Sequence, residues 1–214
     1  MLRTGITAVI AACSFAVAAR SAAAQANRLF VQGAGLYQRF TGDLRSQTDP
    51  GFGVEGQLRY ATRGWSVGVG VDYVGHQRTL TTFVGTPPAV VVSTSDANFI
   101  GVFVEPHLLL GDSRRAIQPY FLIRGGYGRA TPEDDETTAN DDSDAHVTSL
   151  TWNGGLGVLL RMFGPLSADV AVSAGVVKWK GNDEPANGSL TFGNGTTTTG
   201  NIMGRVGLSL ALWR

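Results

Sequence analysis

From residue 52 onward the chain keeps returning to one device, an apolar side chain at every second position. Phe52, Val54, Gly56, Leu58 and Tyr60 alternate with Gly53, Glu55, Gln57 and Arg59. Only Ala61 to Gly64 separates that run from the next, in which Trp65, Val67, Val69, Val71 and Tyr73 alternate with Ser66, Gly68, Gly70 and Asp72. A helix would scatter such residues around its circumference, whereas a strand sends them to opposite faces. The two runs therefore read as strands of a tight hairpin.

The same alternation returns three more times. Leu150, Trp152, Gly154, Leu156, Val158 and Leu160 share one side of a run; Ala168, Val170, Val172, Ala174 and Val176 share one side of another. Ile202, Val206, Leu208, Leu210 and Leu212 do so near the end. Leu29 to Phe40, Asn98 to Leu110 and Tyr120 to Arg129 complete a set of about eight strands. Within that set Pro106 lacks the N–H a ladder needs, which predicts a bulge or a shortened strand.

Connections between runs alternate in length. Those around Arg63-Gly64, Gly111 to Gln118 and Gly164-Pro165 are short. Those over Thr41 to Gly51, Gln77 to Ala97, Ala130 to His146 and Lys180 to Gly200 are long and polar. An up-and-down meander puts all the short ones at one end and all the long ones at the other, the arrangement of a barrel spanning a bacterial outer membrane. A strand crosses with about ten residues, so the absence of a 20-residue apolar stretch does not exclude a membrane.

Residues 1–26 read as a secretory signal peptide. Arg3 supplies the positive start, Ile6 to Ala19 the apolar centre, and Ala24-Gln25-Ala26 the cleavage site. Residues 27–214 are then the mature domain. Ile10-Ala11-Ala12-Cys13 also resembles a lipoprotein processing box, but the apolar centre before it would be very short. The single cysteine excludes an internal disulfide and a Cys-rich metal site, and a net charge of +0 gives no pointer to nucleic acid.

If the apolar face meets lipid, the charges on the other face meet one another. Glu55, Arg59, Asp72, Glu105, Arg124, Arg161, Asp169 and Arg205 are expected to point inward and pair, because an isolated buried charge costs several kcal/mol. Such a network fills a narrow lumen, or lines a polar path for a small solute. Tyr60, Trp65 and Phe121 near one end, with Tyr73, Tyr127, Trp152 and Trp179 near the other, are expected to form interfacial girdles. Phe52 and Phe163 extend them.

Motifs for chemistry are sparse. Gly125-Gly126 and Gly154-Gly155 lie inside strand runs with no following helix, so they are not phosphate loops. His76, His107 and His146 are not at metal-ligand spacing. His76 with Ser95 or Ser149 offers a weak acyl-transfer pair at the outer rim. The acidic run from Pro132 to Asp144 reads as a solvated surface loop, with Ca²⁺ or Mg²⁺ binding as the alternative. No cofactor and no metal site is expected.

Signal peptide, alternating strands, loop order and the end Val206-Gly207-Leu208-Ser209-Leu210-Ala211-Leu212-Trp213-Arg214 together resemble the outer membrane protein β-barrel domain family, the OmpA transmembrane-domain and OmpX-like barrels. That resemblance covers roughly residues 27–214. It implies an all-β, closed antiparallel transmembrane barrel in the cell outer membrane, inserted by the barrel-assembly machinery, with long loops available to extracellular partners. It implies no active residue. A soluble, lipocalin-like ligand-binding barrel with its faces reversed, and a lipid-modifying barrel enzyme, are the alternatives.

Overall fold

A computed structural model describes residues 28–42, 48–84, 89–111, 116–132, 147–181 and 196–212. The signal peptide, the acidic run from Glu133 to Asp144 and Trp213-Arg214 lie outside these. Alternation becomes eight strands: β1 (Arg28–Thr41), β2 (Gly51–Ala61), β3 (Trp65–Val84), β4 (Ala89–Leu109), β5 (Ile117–Pro132), β6 (Val147–Arg161), β7 (Leu166–Gly181) and β8 (Thr196–Ala211). Each pairs with its sequence neighbours, and β1 closes on β8. Every pairing is antiparallel.

Closure has a measurable pitch. From Val31 the pairing runs through Leu58, Val69, Val104, Gly125, Trp152, Val176 and Gly200, and returns to β1 at Thr41, a shift of 10 residues. That stagger tilts the strands, and with eight of them leaves an interior just wide enough for side chains. Tight turns suit the short end. At Phe163-Gly164-Pro165 the Leu166 amide donates to the Phe163 carbonyl at 3.1 Å, and Gly164 takes a φ of 59°, open to glycine at little steric cost.

Two expectations about strands change. Gln77 to Ala97 is mostly a continued hairpin, since β3 and β4 remain paired up to Val84 and Ala89. Pro106 causes neither a bulge nor an early end. Against β5 the pairing passes from Val104–Gly125 to His107–Leu122 in unchanged register, while pairing with β3 is continuous through Val67–Pro106. The proline costs a local gap in one ladder only.

Outside, the barrel is apolar over a tall band. Phe52, Val69, Ile100, Ile123, Leu156, Val172 and Val206 are all exposed. On β5, β6 and β7 the band runs from Ile117 to Tyr127, Leu160 to Leu150 and Leu166 to Val176, ten residue steps each. At the rise of a tilted strand that is about 25 Å, the height of the lipid-facing belt of an outer-membrane barrel.

Candidate functional site

The inward faces stack in layers from the short-turn end to the long-loop end. Leu109, Tyr120, Leu122 and Ala171 form an apolar floor. Interleaved with it, and reaching further toward the long-loop end, lies an ionic layer built from seven strand positions. Arg205 on β8 reaches Glu55 on β2 at 3.1 Å and Glu105 on β4 at 2.7 Å through Nη1, and Asp169 on β7 at 3.2 Å through Nη2. Arg124 on β5 binds Glu55 at 2.8 Å and Asp72 on β3 at 2.6 Å, and meets Glu105 at 3.4 Å. Its guanidinium also lies 3.5 Å from the centre of the Phe103 ring, a cation–π contact. Arg59 on β2 lies 3.5 Å from Glu105 and donates to Gln57 at 2.7 Å.

Three guanidiniums thus face four carboxylates, and neutral groups supply further hydrogen bonds, while Arg59 Nε and Arg205 Nε are left without a partner among the described residues. Asp169, wholly buried, accepts from the Tyr120 hydroxyl at 2.5 Å and from Gln32 at 2.7 Å. His107 stacks flat on Tyr120, ring centres 4.1 Å apart, and brings Nε2 to 2.7 Å from Glu105. Carboxylates accepting several charge-assisted bonds each are how such a layer survives away from water.

Above the ions, Leu36, Val74 and Met203 form a thin apolar layer. Asn153 and Asn201 cross the lumen beside it, with Gln38 donating to Asn201 at 3.3 Å. Rings gather at the outer mouth. Phe40 stacks on His76 at 4.9 Å and meets Trp179 edge-on at 5.5 Å, while Phe99 meets Trp179 at 5.3 Å. His76 is itself held, with Nδ1 donating to the Asp49 carbonyl at 3.1 Å and Nε2 lying 3.3 Å from the Gln38 amide.

Little space is left. A cavity of about 10 Å³ sits among Leu36, Glu105, Leu122, Arg124 and Arg205, barely room for one water. A second, of about 50 Å³, lies between Asp72–Arg124 and the ring of Phe40, Phe99 and Trp179.

Two solved structures share this architecture. Neisserial surface protein A superposes with a TM-score of 0.56 at 14% identity, covering 85% of this chain and 96% of that one. The outer membrane protein OprG from Pseudomonas aeruginosa superposes with 0.54 at 15% identity, covering 88% and 97%. The chain has the fold of the eight-stranded outer-membrane β-barrels. No family model matches the sequence, and a search of curated proteins finds no relative.

Within that outer-membrane barrel fold, the structure brings together Glu55, Arg59, Asp72, Glu105, Arg124, Asp169 and Arg205. Arg161 is a correction. It has the inward phase but is the last residue of β6, beyond the lumen's edge, and it is exposed. Trp179 is another. At 3% exposure it faces the lumen, capping it rather than meeting lipid. Phase could have revealed this, since the outward positions of β7 are the even ones, Val170 to Val176. Trp65, Tyr73, Phe121, Tyr127 and Trp152 are exposed, and Tyr60 is half-buried against Trp65.

Other readings also meet the geometry. His76 and Ser149 both face the interior, and His76 is packed between rings; the Ser95 side chain lies outside the described residues. Apolar outside and charged inside is the reverse of a soluble ligand-binding barrel. Sequence reasoning missed His107, Tyr120, Gln32 and Gln57 as members of the ionic layer, although His107, Tyr120 and Gln57 share the inward phase of a charged residue on their own strand.

Proposed function

We propose that this protein is an integral outer-membrane barrel with a closed lumen, serving a structural or surface-interaction role through the segments at its long-loop end. The carrying observation is the pairing of opposites across one wall, an uncharged apolar band outside and seven paired ionic groups inside. Such a wall is stable only with hydrocarbon around it. OprG is described as an outer membrane protein, and sharing its fold supports the same location. On this reading residues 1–26 direct export, and the barrel-assembly machinery and outer-membrane lipid are the partners of insertion.

Two measurements test it. The unboiled protein extracted in detergent is expected to run differently from the boiled protein on a gel, as a folded barrel does. In a planar bilayer it is expected to give no resolvable current steps. Recovery as a periplasmic protein without detergent would overturn the membrane reading; steady conductance would overturn the closed lumen.

A further inference from the structure

Directly above the apolar band, the outer wall of β5, β6 and β7 changes character. The next outward positions are Arg129 on β5, Thr148 on β6, and Lys178 and Lys180 on β7; the three cations are exposed and Thr148 half-exposed. Register holds them together. Arg129 pairs with Thr148 and Thr148 with Lys180, so these three share one row across the strands. Tyr127, Leu150 and Lys178 share the row beneath. With strands about 4.8 Å apart, the Cα atoms of Arg129 and Lys180 are about 10 Å apart, with Lys178 one pleat below.

None of the three cations has an ion-pair partner among the described residues, whereas Arg59, Arg124 and Arg205 inside the barrel are all paired. The Thr148 hydroxyl, between Arg129 and Lys180, donates to the Lys180 carbonyl at 3.2 Å. Below the cations the wall is Tyr127, Leu150, Trp152 and Val176, all exposed. Interfacial aromatics sit at headgroup level, so the cations lie where lipid phosphates lie.

We propose that Arg129, Lys178 and Lys180 form a site for the phosphate-bearing headgroup of an outer-leaflet lipid, whose acyl chains run down the wall of Tyr127, Leu150, Trp152 and Val176. An Arg fork and two ammonium groups around a hydroxyl suit phosphate oxygens, and the flat apolar wall beneath suits chains. Charge complementarity and depth together select a lipid over a soluble anion, which would gain nothing from the apolar wall. This inference rests on the membrane reading above.

The test uses the folded mature barrel in detergent, titrated with diphosphoryl lipid A and read by native mass spectrometry. Each cation is expected to contribute roughly fivefold in affinity, so R129Q/K178Q/K180Q should weaken binding on the order of a hundredfold. Arg63→Gln, in a turn at the opposite end, should leave binding unchanged, and dephosphorylated lipid A should bind wild type and triple variant alike. Equal affinity of wild type and triple variant for diphosphoryl lipid A would overturn the site. So would full competition by inorganic phosphate, or preference of the same cations for a soluble sulfated polysaccharide. If the triple variant loses the gel-mobility signature of a folded barrel, Lys178→Gln and Arg129→Gln singly serve, and a flat response from both overturns the proposal. A wild-type chain that never inserts into bilayers defeats the membrane reading, whereas an inserted barrel indifferent to these substitutions defeats the lipid site alone.

Discussion

Arg205 joins more strands across the lumen than either of the other two guanidiniums. It contacts Glu55, Glu105 and Asp169 and also donates to the Tyr120 hydroxyl at 3.0 Å, linking groups from β2, β4, β5 and β7 to β8. Deleting it leaves three buried carboxylates short of cation. The cost of breaking such a buried pair is about 3–5 kcal/mol. Arg205→Ala is therefore expected to lower the urea midpoint of the barrel in micelles steeply, with Arg205→Lys intermediate because a point charge replaces a fork. Arg161→Ala, at the exposed end of β6, should change stability by less than about 1 kcal/mol. Equal losses at the two positions would show that the inward cluster carries no special weight. Both residues have the inward phase, and sequence alone did not separate them. Phase tells which face a residue takes, but depth along the barrel axis depends on where neighbouring strands end.

At the scale of a strand pair, small residues decide what the interior can hold. Gly157 on β6 faces inward opposite Tyr120 on β5, and a Cβ there would overlap the phenol ring. Gly154, three residues earlier, faces outward with open space around it. Gly157→Ala is expected to cost about 1–3 kcal/mol by displacing Tyr120 from Asp169 and Arg205. Gly154→Ala should fall within about 0.5 kcal/mol of wild type. Unfolding in urea measures both, and a cost at Gly154 matching that at Gly157 would refute the packing account. The strands were legible because lipid demands an apolar residue at every second position, and six of the interior charges fell out of that phase with a seventh at Asp72. The continuation of β3 and β4 past Gln77 was not legible for the same reason. Beyond the band no hydrocarbon enforces alternation, so Arg78-Thr79-Leu80-Thr81-Thr82 reads as loop although its backbone stays paired. Trp179 was misplaced because an aromatic residue near a strand end suits both a girdle and a cap, and only its odd phase on β7 distinguishes them.

For the molecule as a whole, two layers of side chains lie across the lumen. The ionic layer spans it in the middle, and the cluster of Phe40, His76, Phe99 and Trp179 lies at the outer mouth. A cavity of about 50 Å³ lies between them. Barriers in series act together, since an ion must pass both and current follows the tighter one. Removing the outer rings alone should therefore leave the barrel silent. Trp179→Ala is expected to give a bilayer baseline like wild type, because Arg205 and Arg124 still fill the middle. Arg205→Ser alone should also stay silent, because the ring cluster still caps the mouth. Only the double variant Trp179→Ala/Arg205→Ser, folded by the criterion of its gel mobility, is expected to show discrete current steps. Comparable steps from either single variant would mean that one layer by itself holds the barrel closed, and that the other is packing without a gating consequence.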